Sequence, residues 1–128
     1  MNVVDSSGWL EYFADGPKAA YFAKAIENTA NLLVPALSIF EVFKRVMQQR
    51  GETQAIQAVA LMQQGRVVPL DGALAISAAR LSLVLRLPLA DSIMLATARA
   101  FDGEFWTQDA DFRDVANVHY CDAGRRSR

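Results

Sequence analysis

Asn2-Val3-Val4-Asp5 begins the chain with a short apolar run that ends directly in an aspartate. A run this short is typical of a buried strand and is too short for a helix. Further short strands are predicted at residues 32–34, 66–70, 104–107 and 118–120, and longer helical patterns separate them. This alternation predicts an α/β fold with a central parallel sheet of four to five strands, covered by helices on both faces.

The helical segments are predicted from apolar spacing and from residues that start or stop a helix. They cover residues 9–13, 18–28, 39–50, 52–64, 72–85 and 89–100. Ser38 and Glu41 have the spacing of a capping box at the start of the third helix, and Asp71 is a predicted cap of the fifth. The predicted core faces of the third, fourth and fifth helices comprise Ile39, Phe40, Phe43, Val46 and Met47, then Ile56, Val59, Ala60 and Met62, then Leu74, Ile76, Ala78, Leu81 and Leu85.

Composition limits the class of protein. The 128 residues include 52% hydrophobic and 21% charged side chains, which fits one globular domain, predicted at residues 1–123 with a basic tail at 124–128. The formal charge of −1 lacks the positive excess of many nucleic-acid binders, so RNA binding would need local cations or a bound metal. A single cysteine, Cys121, cannot form an intramolecular disulfide, which favours a reducing, cytoplasmic setting. We expect no signal peptide and no membrane span.

Four acidic residues lie where an open parallel sheet places its ligand site, near the carboxyl ends of strands. Asp5 follows the first strand, Glu41 lies on the helix after the second, Asp91 lies near the start of the last helix, and Asp109 follows the fourth strand. Clustered carboxylates repel one another unless a cation neutralises them, and an all-oxygen set suits Mg²⁺ or Mn²⁺. The pattern therefore predicts metal-assisted phosphodiester hydrolysis, with Asp111 a second candidate for the fourth position.

Each acid also has a purely structural explanation. Asp5 can cap the helix that follows it, Glu41 can complete the capping box, and Asp91 can interact with a helix dipole, while Asp109 suits a turn. Other chemistries are disfavoured. His119 is the only histidine and falls inside a predicted strand, which excludes a nuclease that uses a histidine pair. No Walker loop, dinucleotide fingerprint or zinc spacing is present.

Four blocks of sequence, in order, resemble the PIN-domain proteins of the VapC toxin type. These blocks are VVDSSGWLEYF (residues 3–13), PALSIFEV (35–42), LPLADSIMLATA (87–98) and WTQDADF (106–112). The resemblance implies a three-layer α/β/α fold and a Mg²⁺- or Mn²⁺-dependent endoribonuclease that acts as the toxin of a type II toxin–antitoxin pair. It also implies a VapB-type antitoxin and a homodimer. By the same resemblance, Asp5, Glu41, Asp91 and Asp109 are site acids, with Ser6 and Thr107 as polar helpers.

Several alternatives remain open at this point. A PIN nuclease with a housekeeping role in RNA processing would share the same acids. A Mg²⁺-binding receiver-like domain also uses acids at a sheet edge, but it would need an acidic pair after the first strand and a later lysine. A catalytically inactive binding module is a third. For the toxin, we expect an antitoxin segment to cover an aromatic rim and to point an Arg or Lys at the acids. The candidate rim residues are Trp9, Tyr12, Phe13, Phe40 and Phe43.

Overall fold

A computed structural model describes residues 1–122, so the predicted basic tail at 124–128 lies outside the described residues. Five parallel strands form one sheet in the order β3-β2-β1-β4-β5. Their bounds are β1 (Asn2–Val4), β2 (Leu32–Pro35), β3 (Arg66–Val68), β4 (Glu104–Thr107) and β5 (Val118–Tyr120). The predicted α/β class is therefore confirmed, although β3 ends two residues earlier than expected.

Six α-helices and two short 3₁₀ turns connect the strands. The helices are α1 (Ser6–Phe13), α2 (Ala19–Ile26), α3 (Ala36–Arg50), α4 (Glu52–Met62), α5 (Gly72–Leu85) and α6 (Leu89–Ala100), and the turns are Thr29–Asn31 and Ala110–Phe112. Asp71 caps α5 as predicted, because its carboxylate accepts a 2.8 Å bond from the Leu74 amide. No single helix within residues 1–122 is long and apolar enough to cross a membrane, although α5 and α6 pass that test as a pair bent by 115°.

The core lies on both faces of the sheet, as in a three-layer α/β/α fold. Successive strand side chains point to opposite faces, so Val3 packs in one layer and Val4 in the other. Val3 joins a cluster that includes residues of α5 and α6, whereas Val4 joins one that includes residues of α1 to α4. Helix α6 is buried throughout residues 92–98, which confirms the prediction of a central helix.

The predicted start of α3 is wrong. The helix begins at Ala36, two residues before the predicted cap Ser38, and Pro35 occupies its N-cap position without a side-chain hydrogen bond. The fixed φ of Pro35 suits this abrupt change from strand to helix. Ser38 is instead buried within the first turns, and its hydroxyl has no partner among the described residues. Glu41 therefore has no capping role.

The predicted core faces of three helices are also partly wrong. On α3 the buried side chains are Ser38, Val42 and Val46, while Phe40 and Met47 are exposed. Helix α4 buries Ala55, Ala58 and Met62 and exposes Ile56 and Ala60; α5 exposes Ile76. Alanine-rich helices offer several apolar faces, and close approach to a neighbouring helix favours the face with small side chains. Packing, rather than hydrophobicity alone, therefore decided which face is buried.

The topology identifies one edge of the sheet as the place for a ligand. The chain runs from β1 outward to β2 and β3, then returns to pair β4 with the other side of β1. Ligands of open α/β sheets bind at such a switch in strand order, beyond the carboxyl ends of the strands. Asp5 follows β1 and Asp109 follows β4, so both lie at this edge.

Candidate functional site

Asp5 is held rigidly at the junction of β1 and α1. It is the N-cap of α1, and its Oδ1 accepts bonds from the Gly8 amide at 3.0 Å and the Ser7 hydroxyl at 2.6 Å. Its Oδ2 accepts a 2.5 Å bond from the hydroxyl of Thr107. The residue is only 2% exposed. This capping role still leaves Oδ2 with a lone pair that these bonds do not use.

Thr107 connects Asp5 to the loop that follows β4. While its hydroxyl donates to Asp5, the same oxygen accepts a 2.8 Å bond from the backbone amide of Asp109. Thr107 itself is fully buried at the end of β4. This short relay fixes the start of the loop relative to β1, and it gives Thr107 a positioning role.

Three carboxylates converge beside Asp5. Ligand oxygens of Asp91, Asp109 and Asp111 all lie within 4.8 Å of one another. Asp91 comes from the first turn of α6, and the other two come from the loop after β4. Asp109 caps the 3₁₀ turn Ala110–Phe112 by accepting a 2.9 Å bond from the Asp111 amide. This turn brings both acids of the Asp109-Ala110-Asp111 segment to the cluster, so the two candidates for the fourth position are both present.

Two acids at this edge, Asp91 and Asp5, resist ionisation. Burial raises the pKa of Asp91 to about 8, and the nearby charges of Asp109, Asp5 and Asp111 act in the same direction. Burial also raises the pKa of Asp5 to about 6, although the bonds from Ser7, Thr107 and Gly8 oppose that rise. Raised pKa values with a specific physical cause are typical of functional sites. The cluster holds more negative charge than its surroundings stabilise, which favours cation binding.

Glu41 lies apart from the compact trio of Asp91, Asp109 and Asp111. Its Oε1 accepts a 2.6 Å hydrogen bond from Ser6, the residue directly after Asp5. The same Ser6 hydroxyl also lies 3.9 Å from the sulfur of Met94 on α6. Ser6 therefore links α1 to α3 and α6 at this edge of the sheet. The structure places Glu41 beside the Asp5 segment and not within the group of mutually close carboxylate oxygens.

Sequence reasoning did not identify Ser7 or Gln108 as part of this edge. Ser7 donates to Asp5, and the Gln108 amide donates a 3.3 Å bond to the Ser7 carbonyl, joining α1 to the loop after β4. A serine two residues after an N-cap aspartate is near enough in the chain to donate to that carboxylate, so Ser7 could have been proposed. Nothing in the sequence indicates the Gln108 contact, since it joins segments about one hundred residues apart.

The remaining candidates fall outside the acidic cluster. His119 bonds to Glu104 at 2.6 Å and stacks on Trp106, with ring centroids 4.4 Å apart. These contacts agree with the structural role expected for this histidine. The predicted aromatic rim is wrong in part, because Trp9 is fully buried and stacks on Phe13 in the core. Phe40, which is 60% exposed, is the member of that set most available to a partner.

Solved structures with the same fold include toxins and toxin–antitoxin complexes. A toxin–antitoxin complex from Klebsiella pneumoniae matches with a TM-score of 0.75 and 21% identity, over 92% of this chain and 95% of that one. VapC20 from Mycobacterium tuberculosis, described as a sarcin–ricin loop cleaving toxin, matches with a TM-score of 0.75 and 16% identity, over 93% and 98%. VapBC2 from Rickettsia felis, bound to a promoter DNA fragment, matches with a TM-score of 0.72 and 10% identity, over 94% and 96%.

These structural matches establish the fold. A family model shows, in addition, to which family the chain belongs. A sequence comparison with curated proteins gave no significant match. The model that describes the PIN domain matches residues 3–118, from within the first strand to the first residue of the last. The matched range contains every acidic residue of the cluster described above. The chain therefore belongs to the PIN-domain family.

Proposed function

We propose that this protein is a Mg²⁺- or Mn²⁺-dependent endoribonuclease and the toxin of a type II toxin–antitoxin pair. The observation that carries the proposal is the convergence of Asp91, Asp109 and Asp111 beside the buried Asp5, at the switch in strand order. Because the chain belongs to the PIN-domain family, we no longer consider the receiver-like domain an alternative. The fold shared with toxins supports the toxin role over a housekeeping one.

The acidic residues fit a hard divalent cation. Oxygen ligands 2.0–2.1 Å from Mg²⁺ lie up to about 4.2 Å apart, and the three clustered carboxylates already have oxygens within 4.8 Å. Small rotations of exposed or half-buried side chains would close that difference. Asp91, Asp109 and Asp111 would hold the ion, with the Asp5 carboxylate at the same edge of the sheet. Glu41 would add a further carboxylate on the side of α3. We call this set the acidic edge; its members are Asp5, Glu41, Asp91, Asp109 and Asp111.

When bound, a divalent ion would supply Lewis-acid stabilisation of charge on the phosphate and favour ionisation of water. The protein contributes the fixed positions. Asp5 cannot move without breaking three hydrogen bonds, and Thr107 keeps Asp109 in register with it. Asp91 stands on a buried helix, which limits its freedom further. Such preorganised carboxylates make their contribution without reorganisation during the reaction.

The experiment is a cleavage assay on defined RNA with added Mg²⁺ or Mn²⁺. We expect 5′-phosphate and 3′-hydroxyl ends, because the only histidine is paired with Glu104 and leaves no histidine base for the 2′-hydroxyl. Asp91→Asn should lower the rate by orders of magnitude, whereas Glu52→Gln, an exposed acid on α4, serves as the charge-matched control. Cleavage in excess chelator, or 2′,3′-cyclic phosphate ends, would refute the mechanism.

A VapB-type antitoxin is the proposed partner. The acidic edge favours a cationic side chain on the inhibitor, and Arg matches a carboxylate best because its planar fork donates two parallel bonds. An inhibitor bound there would compete with Mg²⁺, and each should weaken the other by the same factor. Titration of the antitoxin at low and high Mg²⁺ tests this. An antitoxin affinity that does not change with Mg²⁺ concentration would mean that the inhibitor binds at another site.

We also propose a homodimer. Three aliphatic side chains around the turn between α5 and α6 are strongly exposed: Leu83 at 82%, Val84 at 76% and Leu89 at 75%. Such exposure next to a polar surface is typical of a protein interface. Light scattering should give twice the chain mass, and Leu83→Ser should shift it towards the monomer. A monomeric wild-type protein at high concentration would contradict this assignment.

A further inference from the structure

A second cleft, on the α3 side of Glu41, has the composition of a binding site for single-stranded RNA. It has a volume of about 380 Å³ and opens to solvent. The side chains that line it come from α1 and α3, and they include Ser6, Leu10, Phe40, Glu41, Lys44 and Arg45. Glu41 belongs to the acidic edge, and Ser6 donates a hydrogen bond to it. This cleft therefore continues directly from the candidate active site.

The two cations of the cleft are available for an external ligand. Within residues 1–122, neither Lys44 nor Arg45 forms an ion pair or a side-chain hydrogen bond. Arg45 lies one helical turn after Glu41, a spacing that often gives an ion pair, yet Glu41 is bonded to Ser6 instead. The protein has a net charge of −1, so these two cations give the cleft a local positive charge that the whole chain lacks.

Phe40 gives the cleft an aromatic surface. Its ring is 60% exposed on a helix whose opposite face is buried, and the Lys44 ammonium lies 5.7 Å from the ring centroid. The ring therefore presents an apolar surface to solvent beside a cation that forms no ion pair within residues 1–122. An aromatic platform flanked by cations is how proteins bind single strands, since bases stack on the ring and phosphates contact the cations.

We propose that this cleft binds the nucleotide next to the scissile phosphate of a single-stranded RNA, with the base stacked on Phe40 and its phosphate held by Lys44 and Arg45. The inference rests on the proposed nuclease function, which it deepens. One turn of α3, about 5.4 Å, separates Glu41 from Arg45, so an extended strand crossing the acids continues into the cleft. An acidic peptide would match the cations but would leave the Phe40 ring unused.

The first test measures binding of a fluorescein-labelled single-stranded oligoribonucleotide by anisotropy. The Asp91→Asn background with EDTA prevents cleavage. Lys44→Gln and Arg45→Gln should each lower the slope of log affinity against log salt by about 0.7, the value for one lost phosphate contact on a single strand. Arg80→Gln, an exposed cation on α5 outside the cleft, is the matched control and should leave the slope unchanged.

The aromatic platform is tested separately. Phe40→Ala should weaken binding roughly 5- to 150-fold, the range for loss of one stacked base, and Phe40→Tyr should restore it. Met47→Ala, another exposed apolar residue of α3, is the control and should bind normally. Because Phe40 is exposed, its truncation creates no cavity and should not disturb folding. In the active protein, the cleft variants should raise KM with little change in kcat, because they lose binding away from the reacting atoms.

The outcomes separate this inference from the proposed function. If RNA is cleaved but the cleft variants bind like their controls, the cleft inference is overturned and the nuclease proposal stands. If no RNA is cleaved with any metal but binding depends on Phe40, Lys44 and Arg45 as described, the nuclease proposal fails and the RNA cleft stands. Tighter binding of a polyglutamate peptide than of RNA, with the same dependence on these residues, would assign the cleft to a protein partner and overturn the inference.

Discussion

The hydroxyl of Thr107 donates a 2.5 Å hydrogen bond to Oδ2 of Asp5, and it joins the carboxyl ends of two neighbouring strands. Both residues are buried, and the same hydroxyl oxygen accepts the amide of Asp109. One side chain therefore sets the position of the first acid and of the loop that carries two others. The integrity of the acidic edge should depend on this bond.

Replacement of Thr107 by valine keeps the shape and removes the hydroxyl. We expect a loss of about 1.5–3 kcal/mol in the free energy of unfolding, the range for a hydrogen bond to a charged group. The pKa of Asp5 should rise further, because the lost bond lowers it in the wild type. Denaturant unfolding and NMR titration measure the two effects. Thr107→Ser should preserve both, and a valine variant with unchanged stability and Asp5 pKa would refute the positioning role.

The metal-free protein should lose stability as the pH rises. Asp5 and Asp91 have raised pKa values in the native state, about 6 and about 8. Well below the ordinary aspartate pKa of 3.8 they are protonated in both the folded and unfolded states and contribute little difference. Above that, the unfolded chain releases its protons first, so the native state binds more protons and stability falls until the pH passes the folded pKa values.

The contribution of Asp91 can be isolated by melting the protein in EDTA across this pH range. Asp91→Asn should flatten the decline, most clearly between about pH 7 and pH 8, where Asp5 is already mostly ionised and Asp91 still titrates. Glu52→Gln, an exposed acid distant from the cluster, should follow the wild-type curve. Equal slopes of stability against pH for Asp91→Asn and wild type would show that ionisation of Asp91 does not destabilise the folded protein.

Metal binding should reverse that destabilisation and should depend unequally on the two acids of the loop. Binding to the native state alone raises stability by about 2.7 kcal/mol at one hundred times Kd. Asp109 is half-buried and hydrogen-bonded on both its amide and its carboxylate, whereas Asp111 is exposed. Asp109→Asn should therefore raise the Mg²⁺ concentration for half-maximal stabilisation more than Asp111→Asn does. The reverse order would make Asp111 the main ligand of the pair.

Glu41 should matter for activity and little for folding, because it caps no helix. Glu41→Gln is expected to leave the melting temperature within a degree or two while lowering the rate of RNA cleavage. Ser6→Ala removes the 2.6 Å bond that orients Glu41 and should lower the rate in the same direction. In a double-mutant cycle the two changes should be less than additive, since both act on one contact. Full additivity would separate Ser6 from Glu41.

Much of the fold was predictable because its signals are local. Helix α6 and strands β4 and β5 were predicted with their observed bounds, and Asp71 caps α5 as expected. Turn residues, apolar runs and caps act over a few positions, so they can be identified in one sequence. The start of α3 was predicted wrongly because Ser38 has the chemistry of a helix cap. In the structure the helix begins at Ala36, and Ser38 is buried within its first turns.

The sequence by itself determined the alternation of strands and helices, and hence the sheet edge where Asp5 and Asp109 follow their strands. Only the tertiary structure decided which carboxylates come together. It placed Asp111 in the compact cluster and put Glu41 beside Ser6, and it turned Phe40 outward beside Lys44. The physical reason is that helix rotation and side-chain direction depend on packing between residues far apart in the chain, whereas helix and strand formation depend mainly on near neighbours.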